Sequence, residues 1–380
     1  DARLAVQRDR EVEAVLRALG GSAHGSCVVV GPSGVGKTAI IRSVTALLAG
    51  DHCPALFRGY TVWRTSGNHL VVGGKYLGTW QSRINDLVNW ASARKVVLYF
   101  EDLPDLIESG RVEESESNIA QFLRPYISDG RLKVLGECTP DRYESGDALD
   151  PGFLALFRTV RVEAMDDEVT RVVLATLAAG LEKSQRVTIE PAVLPALMRM
   201  TQRYEPYRAE PGRSIQRLSD VVSDAEQVLG PRDRVVSRQV AVGAYARLTG
   251  LPEFLLSDNL TLGPDEVADF FGERIIGQPD AVEAAADLVA VIKAGLGDPH
   301  KPLGNLFCTG PSGVGKTEWA KTLAAYLFGS PDRLVRFDMS EYVTPMDVAR
   351  LLGSTHGPEG ELTRTIRQKP LSVVLFDEIE

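Results

Sequence analysis

Two identical stretches of eight residues decide the fold of this chain: Gly31-Pro-Ser-Gly-Val-Gly-Lys-Thr38 and Gly310-Pro-Ser-Gly-Val-Gly-Lys-Thr317. Each stretch follows a short apolar run, at residues 26–30 and 305–309, and each precedes a segment with helical periodicity. A glycine-rich loop between a strand and a helix lets backbone N–H groups turn inward around an anion. The repeat therefore predicts two α/β units, each with a loop that binds phosphate groups.

Both loops match the pattern GxxxxGK[ST] of nucleotide-binding proteins. The two lysines are expected to reach the terminal phosphates of ATP, and Thr38 and Thr317 are expected to bind Mg²⁺. A glycine-rich turn without nucleotide is the other interpretation, but two identical copies in the same context argue against it. The predicted ATP-binding residues of the first loop are Gly31, Pro32, Ser33, Gly34, Val35, Gly36, Lys37 and Thr38. Those of the second loop are Gly310, Pro311, Ser312, Gly313, Val314, Gly315, Lys316 and Thr317.

Further along each unit, an apolar run ends in two acidic residues. In the second unit these are Asp377, which is expected to hold Mg²⁺ through water, and Glu378, which is expected to polarise the attacking water. In the first unit the order is reversed, with Glu101 at the magnesium position and Asp102 at the water position. Because small displacements at the reacting atoms are costly, the first site is expected to bind ATP but to hydrolyse it slowly.

The composition is that of an ordinary globular protein. Of the 380 residues, 44% are hydrophobic and 24% are charged, which excludes collagen, low-complexity disorder and a disulfide scaffold. The net charge of −9 argues against nucleic acid as a partner, and no apolar stretch is long enough to cross a membrane. Four scattered cysteines favour a reducing cytoplasm, and Cys27 and Cys308 lie in apolar runs, where buried thiols are common.

The pattern of apolar residues predicts four segments. Residues 1–164 alternate strands and helices, and residues 251–268 contain the proline, glycine and asparagine of a linker. Residues 165–250 are helical, with a helical apolar period at residues 167–181 and 214–225. A second α/β unit occupies residues 269–380 and is expected to be truncated after its acidic pair.

Several segments resemble the Clp and heat-shock unfoldases, which are AAA+ ATPases with two ATPase domains. Residues 7–12 resemble the start of the family's first domain, and Arg274-Ile-Ile-Gly-Gln278 matches the RVIGQ start of the second. Residues 136–143 resemble the sensor-1 segment GATTxDEY, and residues 335–342 follow a segment of the second domain. The resemblance implies P-loop AAA+ domains, each a parallel sheet flanked by helices, with a helical lid subdomain after the first.

The resemblance also implies a function. Members of this family form hexameric rings that thread unfolded or tagged polypeptides through a central pore with energy from ATP. Residues 74–78 look like the first pore loop, so that Lys75, Tyr76 and Leu77 are expected to grip the polypeptide. The resemblance leaves open whether a peptidase or an adaptor also binds. Further residues that it places at the nucleotide are Cys138, Thr139, Arg213, Ile275 and Ile276.

Three departures from the family concern the first ring and the second pore. Ala155 and Leu156 stand where the family has the arginines that complete the first ATP site, and Cys138 replaces a threonine. Residues 353–363 lack the aromatic grip of the second pore loop. We therefore expect ATP hydrolysis mainly at the second site. The alternative is a regulatory or scaffold ATPase that switches its assembly state with nucleotide and threads nothing.

Overall fold

The computed structural model describes residues 5–21, 25–71, 79–109, 118–229, 234–257, 264–295, 298, 301–354 and 359–379. The chain divides into two compact units. Unit 1 is Asp1–Val173 with Arg208–Gly212, and unit 2 is Leu174–Tyr207 with Arg213–Glu380. The four segment boundaries given above stay predictions.

In unit 1, strands alternate with helices along the chain. A 3₁₀ turn at Ala55–Phe57 precedes β2, and helix α9 (Asp167–Gln185) continues into unit 2. The other elements are α1 (Asp9–Leu19), β1 (Cys27–Val30), α2 (Lys37–Ala49), β2 (Thr61–Thr65), α3 (Gly67–Val71), α4 (Thr79–Ala93), β3 (Val96–Phe100), α5 (Asp105–Glu108), α6 (Ile119–Ser128), β4 (Lys133–Cys138), α7 (Pro140–Leu149), α8 (Pro151–Leu154) and β5 (Arg158–Arg161).

The strands of unit 1 form one parallel sheet in the order β2-β3-β4-β1-β5. All four residues of β1 are buried, because helices cover both faces of the sheet. The predicted parallel α/β fold is confirmed. The first glycine loop leaves the carboxyl end of β1, next to the carboxyl ends of β4 and β3, where ligands of open parallel sheets bind.

Unit 2 begins with helices and ends in a short parallel sheet. Two 3₁₀ turns, Pro331–Arg333 and Met339–Glu341, flank strand β8. The elements after α9 are β6 (Thr188–Ile189), α10 (Val193–Tyr204), α11 (Gly212–Val228), β7 (Val235–Val236), α12 (Arg238–Thr249), α13 (Glu253–Leu256), α14 (Pro264–Gly272), α15 (Pro279–Ala294), α16 (Lys316–Phe328), β8 (Leu334–Asp338), α17 (Pro345–Leu352), α18 (Glu361–Gln368) and β9 (Val373–Asp377).

The helical segment contains more than helices. The two helices predicted near residues 167–181 and 214–225 are confirmed as α9 and α11. In addition, β6 and β7 pair in parallel over two residues each. Part of the predicted linker is also ordered, since α13 lies within it and buries Leu255 and Leu256 in the core of unit 2.

The strand predicted at residues 305–309 is wrong. Residues 305–309 form no ladder with a described strand, and a strand needs such a partner for its backbone. Phe307 is 76% exposed. Cys308 is exposed, contrary to the expectation of a buried thiol, whereas Cys27 in the paired strand β1 is buried as expected.

Candidate nucleotide sites

The first glycine loop has the backbone of a phosphate-binding loop. Gly34 and Gly36 have φ angles of 96° and 98°, in the left-handed region that glycine adopts without strain. Such a backbone turns successive N–H groups toward one point, and α2 begins there at Lys37 with its positive end. The Lys37 ammonium donates to the carbonyl oxygens of Gly31, at 2.8 Å, and Pro32, at 3.0 Å. The loop thus offers several donors and one cation to an anion.

A neighbouring segment of unit 1 holds this loop in place. The N–H of Ala209 donates to the Ser33 carbonyl oxygen, and the N–H of Gly212 donates to that of Gly34, each over 2.9 Å. A β-carbon at Gly34 would lie 2.6 Å from the Ala209 carbonyl oxygen, so only glycine fits between them. The loop is therefore fixed by backbone contacts and not only by its own sequence.

Arg8 is a second support of the first loop. Its buried guanidinium donates to the carbonyl oxygens of Val35, at 3.1 Å, and Glu163, at 2.6 Å, and forms an ion pair with Glu11. In the sequence, Arg8 belongs to residues 7–12, which resemble the start of the family's first domain. Its role as a support of the loop could not be predicted, because Glu163 is 155 residues away in the sequence.

The second loop repeats the geometry of the first. Gly313 and Gly315 have φ angles of 84° and 103°, and α16 begins at Lys316. The Lys316 ammonium donates to the carbonyl oxygens of Gly310, at 2.5 Å, and Pro311, at 3.2 Å. The identical octapeptides therefore fold alike in both units.

The first acid of each pair forms an ion pair with an arginine of the neighbouring strand. Arg64 on β2 lies 3.0 Å from a carboxylate oxygen of Glu101, and Arg336 on β8 lies 2.8 Å from one of Asp377. Both arginines stand opposite the residue two positions before the acid in the parallel register. This ion pair is common to both sites and does not explain a difference between them.

The second acid of the first pair is held by an arginine. Arg142 on α7 donates two hydrogen bonds to one oxygen of Asp102, from Nε at 3.0 Å and from Nη2 at 2.8 Å. The same guanidinium binds Glu108, and the hydrogen bonds to Glu108 and Asp102 raise the pKa of Arg142. The other oxygen of Asp102, Oδ1, is buried without a hydrogen-bond partner. Glu378, the second acid of the second pair, is exposed.

Glu137 is an acid of the first site that the sequence analysis did not identify. It lies near the end of β4 and is only 6% exposed, and it accepts a hydrogen bond from the Thr38 hydroxyl, with 2.8 Å between Oγ1 and Oε1. Burial raises the pKa of Glu137 and lowers that of Lys37. The second carboxylate oxygen, Oε2, is buried and accepts no hydrogen bond of ordinary length, and the buried hydroxyl of Tyr99 lies near the carboxylate.

The two predicted sensor residues lie at the end of β4. Cys138 is buried, which raises its thiol pKa to about 12 and keeps the thiol protonated at neutral pH. Thr139 caps α7, because its hydroxyl oxygen accepts a hydrogen bond from the N–H of Arg142 at 3.4 Å. Both residues lie near the first loop, since the N–H of Gly31 donates to the Cys138 carbonyl oxygen.

The remaining predicted contacts belong to unit 2 or fall outside the described residues. Ile275 is buried in the core of unit 2, whereas Ile276 is 85% exposed. Arg213 lies in the first turn of α11, directly after the Gly212 that bonds to the first loop. The predicted pore-loop residues Lys75, Tyr76 and Leu77 lie outside the described residues.

The donor set of each site fits a magnesium ion bound with nucleotide. In the part of the chain that the structure describes, there is no cluster of three or more histidine, cysteine or acidic side chains that could hold a metal by itself. Mg²⁺ needs no such cluster, because it commonly takes one or two protein oxygens together with phosphates and water. The buried Oε2 of Glu137, beside the Thr38 hydroxyl, is an oxygen of this kind.

No described helix has the length and apolar character needed to cross a membrane.

Comparison with known proteins agrees with this geometry. The AAA ATPase domain family matches residues 5–236, and the AAA domain (Cdc48 subfamily) matches residues 301–380. Because the first match covers more than half of the chain, the chain belongs to the AAA ATPase family.

The individual relatives are proteins of the Clp and heat-shock type. The chain is 27% identical to the ATP-dependent Clp protease ATP-binding subunit ClpL of Staphylococcus aureus, over 99% of this chain and 62% of the relative. It is 28% identical to ClpC of Staphylococcus saprophyticus, over 99% of this chain and 53% of the relative. The structure of the S. cerevisiae Hsp104:casein complex matches with a TM-score of 0.70 and 28% identity, over 99% of this chain and 65% of that one. The predicted resemblance to Clp-type AAA+ ATPases is confirmed, and the chain spans about 53–65% of the length of these relatives.

Proposed function

We propose that the protein is an ATP-driven machine of the Clp type that remodels other polypeptides. The observation that carries this proposal is the pair of identical loops, each with two left-handed glycines and a lysine folded over the loop carbonyls. In each loop the lysine and the backbone N–H groups bind the phosphates of ATP. Thr38 and Thr317 bind Mg²⁺, which, when bound, neutralises charge on the phosphates.

The proposal includes a hexameric ring of further copies of this chain. Lys75, Tyr76 and Leu77 line its pore, and Tyr76 packs against the threaded polypeptide without sequence selectivity, as an exposed aromatic ring can. The similar Hsp104 has been solved with casein, which supports a polypeptide substrate. The partners are unfolded or tagged polypeptides, with an adaptor or peptidase as a further candidate. The proposed location is the cytoplasm, in keeping with four free thiols.

We further propose that the two sites are unequal, with ATP hydrolysis mainly at the second. Asp102 is the shorter of the two acids, and it already accepts two charged hydrogen bonds from Arg142. A carboxylate paired in this way is a poor acceptor for a proton of the attacking water. Glu378, at the corresponding position of the second unit, is the longer acid. The first site therefore binds ATP and hydrolyses it slowly, while the second supplies the turnover.

The test of polypeptide remodelling is the effect of casein on ATP hydrolysis by the intact protein. Casein is expected to increase the steady-state rate severalfold, because engagement of the pore loop couples to the ATP sites. The change Tyr76→Ala should abolish this stimulation, whereas the control Tyr76→Phe retains the aromatic ring and should preserve it.

The alternative function predicts a different result. A regulatory or scaffold ATPase would hydrolyse ATP at the same rate with and without casein, and Tyr76→Ala would change nothing. Its assembly state, measured by light scattering, would still follow the nucleotide. Such a result would contradict threading while leaving nucleotide binding in place.

A further inference from the structure

The first nucleotide site contains a buried carboxylate in direct contact with the residue predicted to bind magnesium. Glu137 is 6% exposed, and its Oε1 accepts the hydroxyl hydrogen of Thr38 over 2.8 Å. Its Oε2 is buried and accepts no hydrogen bond of ordinary length, although the hydroxyl of Tyr99, itself buried without a partner, lies near the carboxylate and favours its charged form. A buried carboxylate oxygen without a partner is costly, so its retention indicates a ligand that the protein alone does not supply.

The strand order places Glu137 directly beside the first loop. Strand β4, which carries Glu137, lies directly beside β1, whereas β3, which carries the acid pair, is one strand further away. Glu137 stands opposite Val29 in the register, and the N–H of Gly31 bonds to the residue after Glu137. The carboxylate is thus attached to the strand that adjoins the loop.

Glu101 is poorly placed by comparison. Each of the two corresponding acids pairs with an arginine, but the side chain of Glu101 is 54% exposed and that of Asp377 is only 20% exposed. An exposed side chain loses more conformational freedom than a buried one when its carboxylate binds an ion. The first site therefore has an exposed acid, Glu101, at the usual position and a buried acid, Glu137, on the adjoining strand.

We propose that Glu137, and not Glu101, is the carboxylate that binds the magnesium ion of the first site, together with the hydroxyl of Thr38. This inference rests on the proposal that the first loop binds MgATP. Hard divalent cations favour carboxylate and hydroxyl oxygens, which are the two groups that the hydrogen bond brings together. Lys37 lies close enough to Glu137 to favour its charged form, so that the site holds one lysine and one carboxylate around the phosphates.

The test measures metal affinity and not activity. The intact protein carries Lys316→Ala so that the second loop is disabled, and it is loaded with ADP, which is not hydrolysed. Mn²⁺ replaces Mg²⁺ and its binding is followed by electron paramagnetic resonance. Glu137→Gln keeps the size of the side chain and the acceptor for Thr38 but removes the charge, and we expect it to weaken Mn²⁺ binding about 10-fold or more. Glu101→Gln should weaken Mn²⁺ binding less than about 2-fold, since the Glu101 carboxylate is exposed and pairs with Arg64.

Two controls separate the possible failures. ADP affinity in EDTA reports whether the loop is folded and binds nucleotide, and Glu137→Asp, which keeps the charge, should bind Mn²⁺ more tightly than Glu137→Gln. In a Lys37→Ala background, Glu137→Gln should leave Mn²⁺ binding at the second loop unchanged. A larger loss with Glu101→Gln than with Glu137→Gln, or unchanged Mn²⁺ binding in Glu137→Gln, would overturn the inference alone. Failure of the Lys316→Ala protein to bind ADP in EDTA would overturn the proposed function of the first loop and the inference with it.

Discussion

Arg142 occupies the position from which it can neutralise the acid that should activate water in the first site. Its two hydrogen bonds to Asp102 come from Nε and Nη2 and end on the same carboxylate oxygen. The guanidinium also binds Glu108, so three charged groups hold one another at the end of β3. Charge-assisted hydrogen bonds of this kind fix side chains in place. One oxygen of Asp102 is therefore occupied by the arginine, whereas the other, Oδ1, is buried without a hydrogen-bond partner.

The first prediction compares the two water-positioning acids by removing the charge of each. In the intact protein, Glu378→Gln should reduce total ATP turnover by about 10²-fold or more, the usual contribution of a general base. Asp102→Asn should change total turnover by less than about 2-fold, because we assign little turnover to the first site. Steady-state phosphate release measures both. A larger loss with Asp102→Asn than with Glu378→Gln would show that the paired acid is catalytic after all.

Residue contacts of this kind could not be predicted from the sequence. Thr38 and Glu137 are 99 residues apart, and Asp102 and Arg142 are 40 apart, so no local pattern brings them together. The glycine loops were predictable because all their determinants lie within eight neighbouring residues. Glu137 also lies in strand β4, whose central residues are apolar, and only the strand order places Glu137 next to the first loop.

Among the elements, we call Arg208–Gly212 the brace of the first loop, because its backbone hydrogen bonds hold that loop. A β-carbon at Gly212 would lie 2.3 Å from the Gly34 carbonyl oxygen and 2.6 Å from its α-carbon. These are backbone atoms, so they cannot move aside as a flexible side chain can. The close approach connects the start of α11 to the geometry of the loop.

The second prediction concerns this close approach. Gly212→Ala should weaken nucleotide binding at the first loop about 10-fold, because overpacking of this kind costs about 1–3 kcal/mol. The matched control is Gly180→Ala in α9, where a β-carbon meets nothing within 4 Å and alanine should stabilise the helix by up to about 1 kcal/mol. Fluorescent ADP binding to the Lys316→Ala protein measures the first effect. Equal affinity in the two variants would mean that the brace does not shape the loop.

In unit 2, one buried carboxylate forms hydrogen bonds to side chains of two neighbouring helices. Glu205, after the end of α10, is 4% exposed and accepts hydrogen bonds from Arg217 on α11, at 2.6 Å, and from the hydroxyl of Tyr245 on α12, at 2.9 Å. Burial and the nearby charge of Glu205 raise the pKa of Tyr245, so that its hydroxyl stays protonated and donates. The carboxylate thus joins three helices at one point.

The third prediction is a loss of stability when this carboxylate is removed. Glu205→Ala should lower the free energy of unfolding of the unit by about 3 kcal/mol, because it removes the shortest contact of a partly buried cation and of a buried hydroxyl, which keep only longer contacts to Asp220 and the Met200 carbonyl oxygen. The control Asp224→Ala breaks an exposed ion pair with Arg247 between the same two helices, α11 and α12, and should cost less than about 1 kcal/mol. Urea unfolding followed by circular dichroism measures both. Similar losses in the two variants would contradict a special role for the buried carboxylate.

Among the secondary-structure elements, helices with an apolar period could be predicted from the sequence, whereas strand formation, which depends on pairing with another segment, could not. The apolar period predicted α9 and α11, and each glycine loop was predicted between its strand and its helix. The strand at residues 305–309 was wrong, because a strand exists only when another strand pairs with its backbone. The short pair β6–β7 was missed, since two residues carry no detectable alternation.

For the whole molecule, the repeated loop gives two candidate nucleotide sites. The loops share their sequence, the left-handed φ angles of two glycines and the position of the lysine. The first loop is supported by a brace, and it has a buried glutamate beside its threonine and an arginine on the second acid of its pair. We propose that both loops bind the same nucleotide and that the paired acid makes the first site the slower one.

The most direct test of unequal sites is ATP hydrolysis by the intact protein with Lys37→Ala and Lys316→Ala made separately, together with the assembly state of each variant. Each change removes the cation over one loop and leaves the other loop intact. We predict that Lys316→Ala abolishes most of the turnover, whereas Lys37→Ala retains turnover per assembled ring but weakens assembly in the presence of ATP. Loss of most turnover in Lys37→Ala alone, with assembly intact, would contradict this assignment and make the first site the principal motor.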